Sequence, residues 1–151
     1  MRPRTFVWVA LIALAPLSIA CGEGVTEPEG GQIVALTTIG GQDLPATLEP
    51  TPGYLRTWVA DTIRLGANGL WSRRQIMEYG NPVEEPERVD WSSNGKLERA
   101  GSEIVLDFVC NDTASCIAPD RLIPEDGGYR IERPIGEGLE VFRYRITDGG
   151  G

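Results

Sequence analysis

Residues 57–79 read TWVADTIRLGANGLWSRRQIMEY, and the fold turns on how they divide. Up to Leu65 the chain alternates, with Val59, Ile63 and Leu65 on one face and Trp58, Ala60, Thr62 and Arg64 on the other. A period of two is the strand repeat, because successive side chains of an extended chain point to opposite sides. Gly66-Ala67-Asn68-Gly69 follows and supplies residues suited to the positive φ angles of a tight hairpin. Leu70 to Tyr79 is then the returning strand. The helical alternative, around Arg73 to Tyr79, is too short to present a useful apolar stripe.

The same grammar extends in both directions. Ile33 to Ile39 is a β-branched run closed by Gly40-Gly41, and Ser93-Asn94-Gly95 predicts a second turn followed by a short strand from Lys96 to Ala100. Glu103 to Cys110 places Ile104, Leu106 and Phe108 on one face. Gly127-Gly128 precedes Tyr129 to Glu132, and Gly136 and Gly138 precede Leu139 to Ile146, where Phe142, Tyr144 and Ile146 align. About seven or eight strands at this turn spacing predict an all-β fold, a single antiparallel β-barrel or barrel-like sandwich. Residues 33–147 hold this domain and 148–151 a glycine-rich flexible tail.

Upstream the character changes. Met1-Arg2-Pro3-Arg4 is cationic, and Thr5 to Ala20 carries no charge. A spanning helix needs about 20 apolar residues; this run is shorter, contains Pro16 and ends in small residues, which is the layout of a signal peptide over residues 1–20. Ser18-Ile19-Ala20-Cys21 resembles the lipobox of bacterial lipoproteins. That resemblance implies that the Cys21 sulfur receives a diacylglycerol and becomes the acylated N-terminus, and that two or three acyl chains hold the protein on a membrane. Gly22 in the second mature position resembles lipoproteins passed to the outer membrane, so the implied location is the cell envelope. The alternative is ordinary signal-peptidase cleavage after Ala20, which would release a soluble protein. Residues 22 to 32, GEGVTEPEGGQ, lack hydrophobic periodicity and read, with Cys21, as a flexible tether over 21–32.

The chain has three cysteines, Cys21, Cys110 and Cys116. An odd count in an exported protein leaves one thiol to be explained, and lipidation of Cys21 would account for it. Cys110 and Cys116 then remain as a candidate disulfide in a compartment that permits one. In the chain-entropy picture so small a loop contributes about 2 kcal/mol. A metal or redox pair fits less well, since histidine is absent and the spacing is not that of C-x-x-C.

Composition excludes more function classes than any motif includes. With no histidine, hydrolases that use a histidine base and histidine-ligated metal sites each lack a necessary group. Lys96 is the single lysine, which argues against a Ser-Lys mechanism. The formal net charge of −8 argues against nucleic acid as a partner, and removal of Arg2 and Arg4 would make the chain more acidic still. No cofactor is indicated.

TIRLGANGLWSRRQ, NGKLERAGSEIVLDF and the terminal EVFRYRI together resemble small lipocalin-like bacterial lipoproteins, whose hairpins turn at Asn-Gly or Asp-Gly. The resemblance runs from about Ile33 to Ile146 and implies a barrel that acts as a non-enzymatic binding module. It lacks a Gly-x-Trp signature near the first strand. Trp58, Trp71, Tyr79, Trp91 and Phe142 are the candidate ligand-binding residues, for a small apolar molecule if the sheet closes around a cavity; core packing is their other role. Two further readings use the acidic residues. One is an acidic envelope protein that binds a cationic protein partner. The other is a carboxylate-dependent hydrolase, with Asp61 and Asp107 as candidates because each interrupts an apolar strand face. The stretch Asn81 to Asp90 concentrates Glu84, Glu85, Glu87 and Asp90, but without the D-x-D-x-D-G spacing of a calcium loop.

Overall fold

The computed structural model of this chain describes residues 27–108 and 118–147. Ten strands follow one another: β1 (Gln32–Ile39), β2 (Gln42–Asp43), β3 (Ala46–Thr51), β4 (Tyr54–Leu65), β5 (Leu70–Gly80), β6 (Glu87–Ala100), β7 (Glu103–Phe108), β8 (Asp120–Glu125), β9 (Gly128–Ile135) and β10 (Gly138–Thr147). There is no helix among the described residues.

All pairings are antiparallel, and the sheet runs in the order β2-β1-β10-β9-β8-β7-β6-β5-β4-β3. It closes where β1 meets β4, from Gln32 opposite Leu65 to Ala35 opposite Thr62, so that eight strands form a barrel. Beyond Ala35 the two strands part. β2 pairs with the end of β1, Thr38 opposite Asp43, while β3 pairs with the start of β4, Ala46 opposite Trp58. β2 and β3 thus lie at one end of the barrel, and because β6 pairs with β7 only from Gly95 to Ala100, residues 87–94 of β6 have β5 as their one partner strand among the described residues.

The expected hairpin is present: β4 and β5 pair from Leu65 opposite Trp71 onward, and within Gly66-Ala67-Asn68-Gly69 it is Gly69 that takes a positive φ of 76°. The expected division of faces is corrected in one place. A bulge at Val59 shifts the register between Trp58 and Ala60. An extra residue reverses the faces beyond it, so Trp58 joins Asp61, Ile63 and Leu65 in the interior instead of pointing outward with Thr62 and Arg64.

Ser93-Asn94-Gly95 is not a turn. β6 runs through it without interruption, with Ser93 opposite Arg73 and Gly95 opposite Trp71. The glycine serves close approach: a Cβ at position 95 would lie 2.9 Å from Trp71 Nε1 and 1.9 Å from the Asp107 carbonyl oxygen. Across the space left by the missing side chain, Trp71 Nε1 donates to Asp107 O at 3.0 Å. Asn-Gly marks a hairpin and a backbone crossing equally well, so local sequence does not separate them.

Part of the segment expected as a flexible tether over 21–32 is packed on the barrel. Pro28 is buried, Ala67 N donates to Glu29 O at 3.1 Å and Asn68 Nδ2 to Glu27 O at 3.3 Å, so residues 27–29 sit against the β4–β5 turn and β1 begins at Gln32. Inside the barrel, Val34, Leu36, Ile63, Ile104, Leu106, Leu122 and Ile131 pack around Trp71 and Phe142, both 0 % exposed. Edge-on ring contacts, Trp71 to Phe108 at 4.9 Å and Trp58 to Phe142 at 5.4 Å, fix the aromatic side chains within this core.

Candidate functional site

β5 runs the length of the interior. Its inward residues, in order, are Trp71, Arg73, Gln75, Met77 and Tyr79, and the cross-strand partners on β4 bring Asp61 opposite Gln75, Trp58 opposite Met77 and Arg56 opposite Tyr79. The interior is therefore apolar around Trp71, ionic around Arg73 and aromatic toward Tyr79.

The ionic layer is a closed network. Arg73 Nε donates to Asp61 Oδ1 at 2.8 Å, Nη1 to Asp120 Oδ2 at 2.8 Å and Nη2 to the Tyr144 hydroxyl at 2.6 Å, with a further bond from Nη2 to Asp61 Oδ2. Tyr144 donates to Asp61 Oδ2 at 2.8 Å, and Gln75 Nε2 does so at 3.1 Å. Arg133 completes the layer by donating from Nε to Asp120 Oδ1 at 3.0 Å and from Nη2 to Oδ2. Two guanidinium groups thus face two carboxylates, and the layer is formally neutral. Burial works against the Arg73 cation, but the Tyr144 oxygen, Asp61 and Asp120 outweigh it and hold the guanidinium above its usual pKa. Burial, reinforced by Asp61 and opposed by Arg73, pushes the Tyr144 hydroxyl well up, so it stays a donor.

Above this layer a cleft of about 510 Å³ opens at the aromatic end. Its walls are Arg56, Trp58, Met77, Tyr79, Trp91, Ser93, Phe108 and Pro119, with Glu132, Arg133 and Pro134 from β9, and its floor includes Arg73, Gln75 and Asp120. Arg56 lies over two rings, 5.6 Å from the Trp58 centroid and 5.4 Å from that of Tyr79. Trp91 contributes an exposed face, being 55 % accessible. Apolar walls with a few fixed polar groups are the general makeup of a small-molecule site.

Of the residues expected to bind ligand, Trp58, Tyr79 and Trp91 line this cleft, whereas Trp71 and Phe142 lie in the packed core beneath it. Cys21, Cys110 and Cys116 fall outside the described residues. Asp61 and Asp107 are not brought together: Asp61 is inside, its oxygens occupied by Arg73, Gln75 and Tyr144, while the Asp107 side chain is exposed on the outer face. The carboxylates of 84–90 go to separate partners, Glu84 to Asn81 Nδ2 and Asp90 to Arg74. Among the described residues no group of three or more acidic or cysteine side chains converges as metal ligands would.

Sequence reasoning missed Arg56, Arg73, Asp120, Arg133 and Tyr144 as site residues. For Arg73 a signal exists: within WSRRQIM it shares the strand face of Trp71 and Met77, an arginine on an apolar face two strand positions from tryptophan. Asp120 and Arg133 carry no such signal, because their partners lie on distant strands.

A second cavity of about 530 Å³ lies on the outer face, lined by small polar groups such as Thr62, Ser72, Ser92 and Asn94 together with Arg64 and Arg74. It lacks aromatic walls. The mouth cleft is therefore the stronger candidate for a binding site. Comparison of the chain with protein-family models, curated proteins and solved structures finds no match.

Proposed function

We propose that this chain is a bacterial envelope lipoprotein, tethered through acylated Cys21, whose barrel binds a small, largely apolar molecule in the cleft at its mouth and performs no catalysis itself. The observation that supports the binding role is the cleft: about 510 Å³ of space walled by Trp58, Tyr79 and Trp91, above a rigid, neutral ionic floor. Each half of the proposal has its own test. Fluorescence of N-phenyl-1-naphthylamine is expected to rise saturably on binding, and Trp91→Ala, which removes an exposed wall, is expected to weaken binding severalfold without unfolding the barrel. No saturable binding, or an unchanged affinity in the variant, would count against the cleft. Metabolic labelling with a fatty-acid probe tests the anchor, and equal labelling of wild type and Cys21→Ser would remove it.

An acidic-surface reading has one feature in its favour. Glu84, Glu85 and Glu87 border a third cavity of about 360 Å³ beside Tyr54 and Tyr79, a surface suited to a cationic protein. Association through it would weaken steeply with salt.

A further inference from the structure

We infer that the mouth cleft selects an anion: a molecule with one negatively charged group, such as a carboxylate, attached to a compact aromatic or other apolar body, the charge being held by Arg56. The inference rests on the cleft reading above and makes it chemically specific.

The charge balance of the cleft carries the argument. Arg73 and Arg133 are answered by Asp61 and Asp120, and Glu132 is answered by Arg130, whose Nε lies 3.0 Å from its carboxylate. Arg56 makes no ion pair with any described residue. Among the described residues one positive charge is thus left over at the mouth of a barrel whose chain carries a net charge of −8. Carboxylates are plentiful in this protein, yet none of the described ones forms an ion pair with Arg56.

Two buried donors in the same place also have no partner among the described residues, Arg56 Nε and the indole Nε1 of Trp58, which is 2 % exposed. Buried donors are nearly always satisfied, and two orphans on adjacent inward positions of one strand mark a place where an acceptor is wanted. The guanidinium lies close to both rings, which restricts its rotamers. A guanidinium edge matches a carboxylate, which takes two parallel hydrogen bonds from it. Around it, Met77, Tyr79, Trp91 and Phe108 supply the apolar surface for the rest of the molecule. A purely structural Arg56, present only to cover Trp58, would confer no preference for ligand charge.

Calorimetric titration of the protein with 2-naphthoate and with its uncharged isostere 2-naphthamide separates the two roles. Naphthoate is expected to bind about tenfold or more tightly than the amide, the range of a hydrogen-bonded charge, and the ratio should shrink between 20 and 500 mM salt, values on either side of ordinary screening. Arg56→Met, which keeps the stem but removes the charge, is expected to bring the ratio of the two affinities near one. Equal or tighter binding of the amide to wild-type protein overturns the anion inference and leaves the cleft as an apolar site; this arm needs no variant. A preference that persists in Arg56→Met overturns the assignment to that residue. Absence of binding by naphthoate, naphthamide and N-phenyl-1-naphthylamine alike overturns the cleft reading itself.

Discussion

Arg73 and Asp61 meet inside the barrel edge to edge, the guanidinium Nε on Oδ1 at 2.8 Å and Nη2 on Oδ2, with both residues almost wholly removed from solvent. The pair does not stand alone, since Asp120 and the Tyr144 hydroxyl accept from Arg73 while Tyr144 and Gln75 donate to Asp61. Burying such ions is expensive, and the completeness of the network is what makes it tolerable.

Removing one member should therefore cost more than removing several. Arg73→Met leaves Asp61 without its counter-charge and is expected to lower stability by about 3–5 kcal/mol. Arg73→Met combined with Asp61→Leu should recover part of that loss, because it also removes the stranded carboxylate. Urea denaturation of the two singles and the double gives the coupling; strict additivity would contradict the network.

Alkaline pH probes the same layer through Tyr144. Its hydroxyl is held above the ordinary tyrosine value, chiefly by burial, so the unfolded chain loses this proton near pH 10 while the folded protein keeps it. Unfolding then releases a proton, and stability that is intact below about pH 10 falls by up to about 1.4 kcal/mol per pH unit above it. Tyr144→Phe should flatten this fall while costing about 1–2 kcal/mol at neutral pH through the lost hydrogen bonds. Urea midpoints at pH 8 and pH 11 for both proteins check it; identical losses between the two pH values would contradict it.

Gly95 gives a steric prediction. Alanine there would place a Cβ against the Asp107 carbonyl and within 2.9 Å of Trp71 Nε1, so the strand or the indole must move. Gly95→Ala is expected to cost about 1–3 kcal/mol, as overpacking of a filled interior does. Near-ultraviolet circular dichroism, which reports the setting of Trp71, should change with it. If position 95 were a turn, alanine would leave the Trp71 signal unaffected.

By contrast, Arg74 and Asp90 form an equally short pair on the outside, 2.6 Å from Nη2 to Oδ2, with the side chains 66 % and 48 % exposed. Asp90→Asn is expected to leave the urea midpoint within error, since water and salt screen such pairs. A loss comparable to that in Asp61 variants would mean that burial is not what separates the two pairs.

What the sequence disclosed follows from the range of each interaction. Alternation and glycine turns are local, so the β4–β5 hairpin and the inward run of Ile104, Leu106 and Phe108 were legible. The Val59 bulge was not, because its only trace is Trp58 on the face with Arg64, which an ordinary strand also allows. Nor was the passage of β6 through Asn94-Gly95, which depends on an indole from the neighbouring strand. The aromatic residues of the cleft were recognisable as a set, but their sorting into walls (Trp58, Tyr79, Trp91) and core (Trp71, Phe142) depends on depth within the barrel. The ionic floor joins residues from β4, β5, β8, β9 and β10, and no local window contains it.

Three tryptophans in the described residues make the central claim directly measurable. Trp58 and Trp91 line the cleft, whereas Trp71 lies beneath it with its indole N–H bonded to Asp107. In a ¹⁵N-correlated spectrum of the protein titrated with N-phenyl-1-naphthylamine, the indole signals of Trp58 and Trp91 are predicted to shift together and saturably while that of Trp71 stays in place. Shifts at Trp71 as large as those at the other two, or none at any of the three, would contradict a ligand site at the mouth of the barrel.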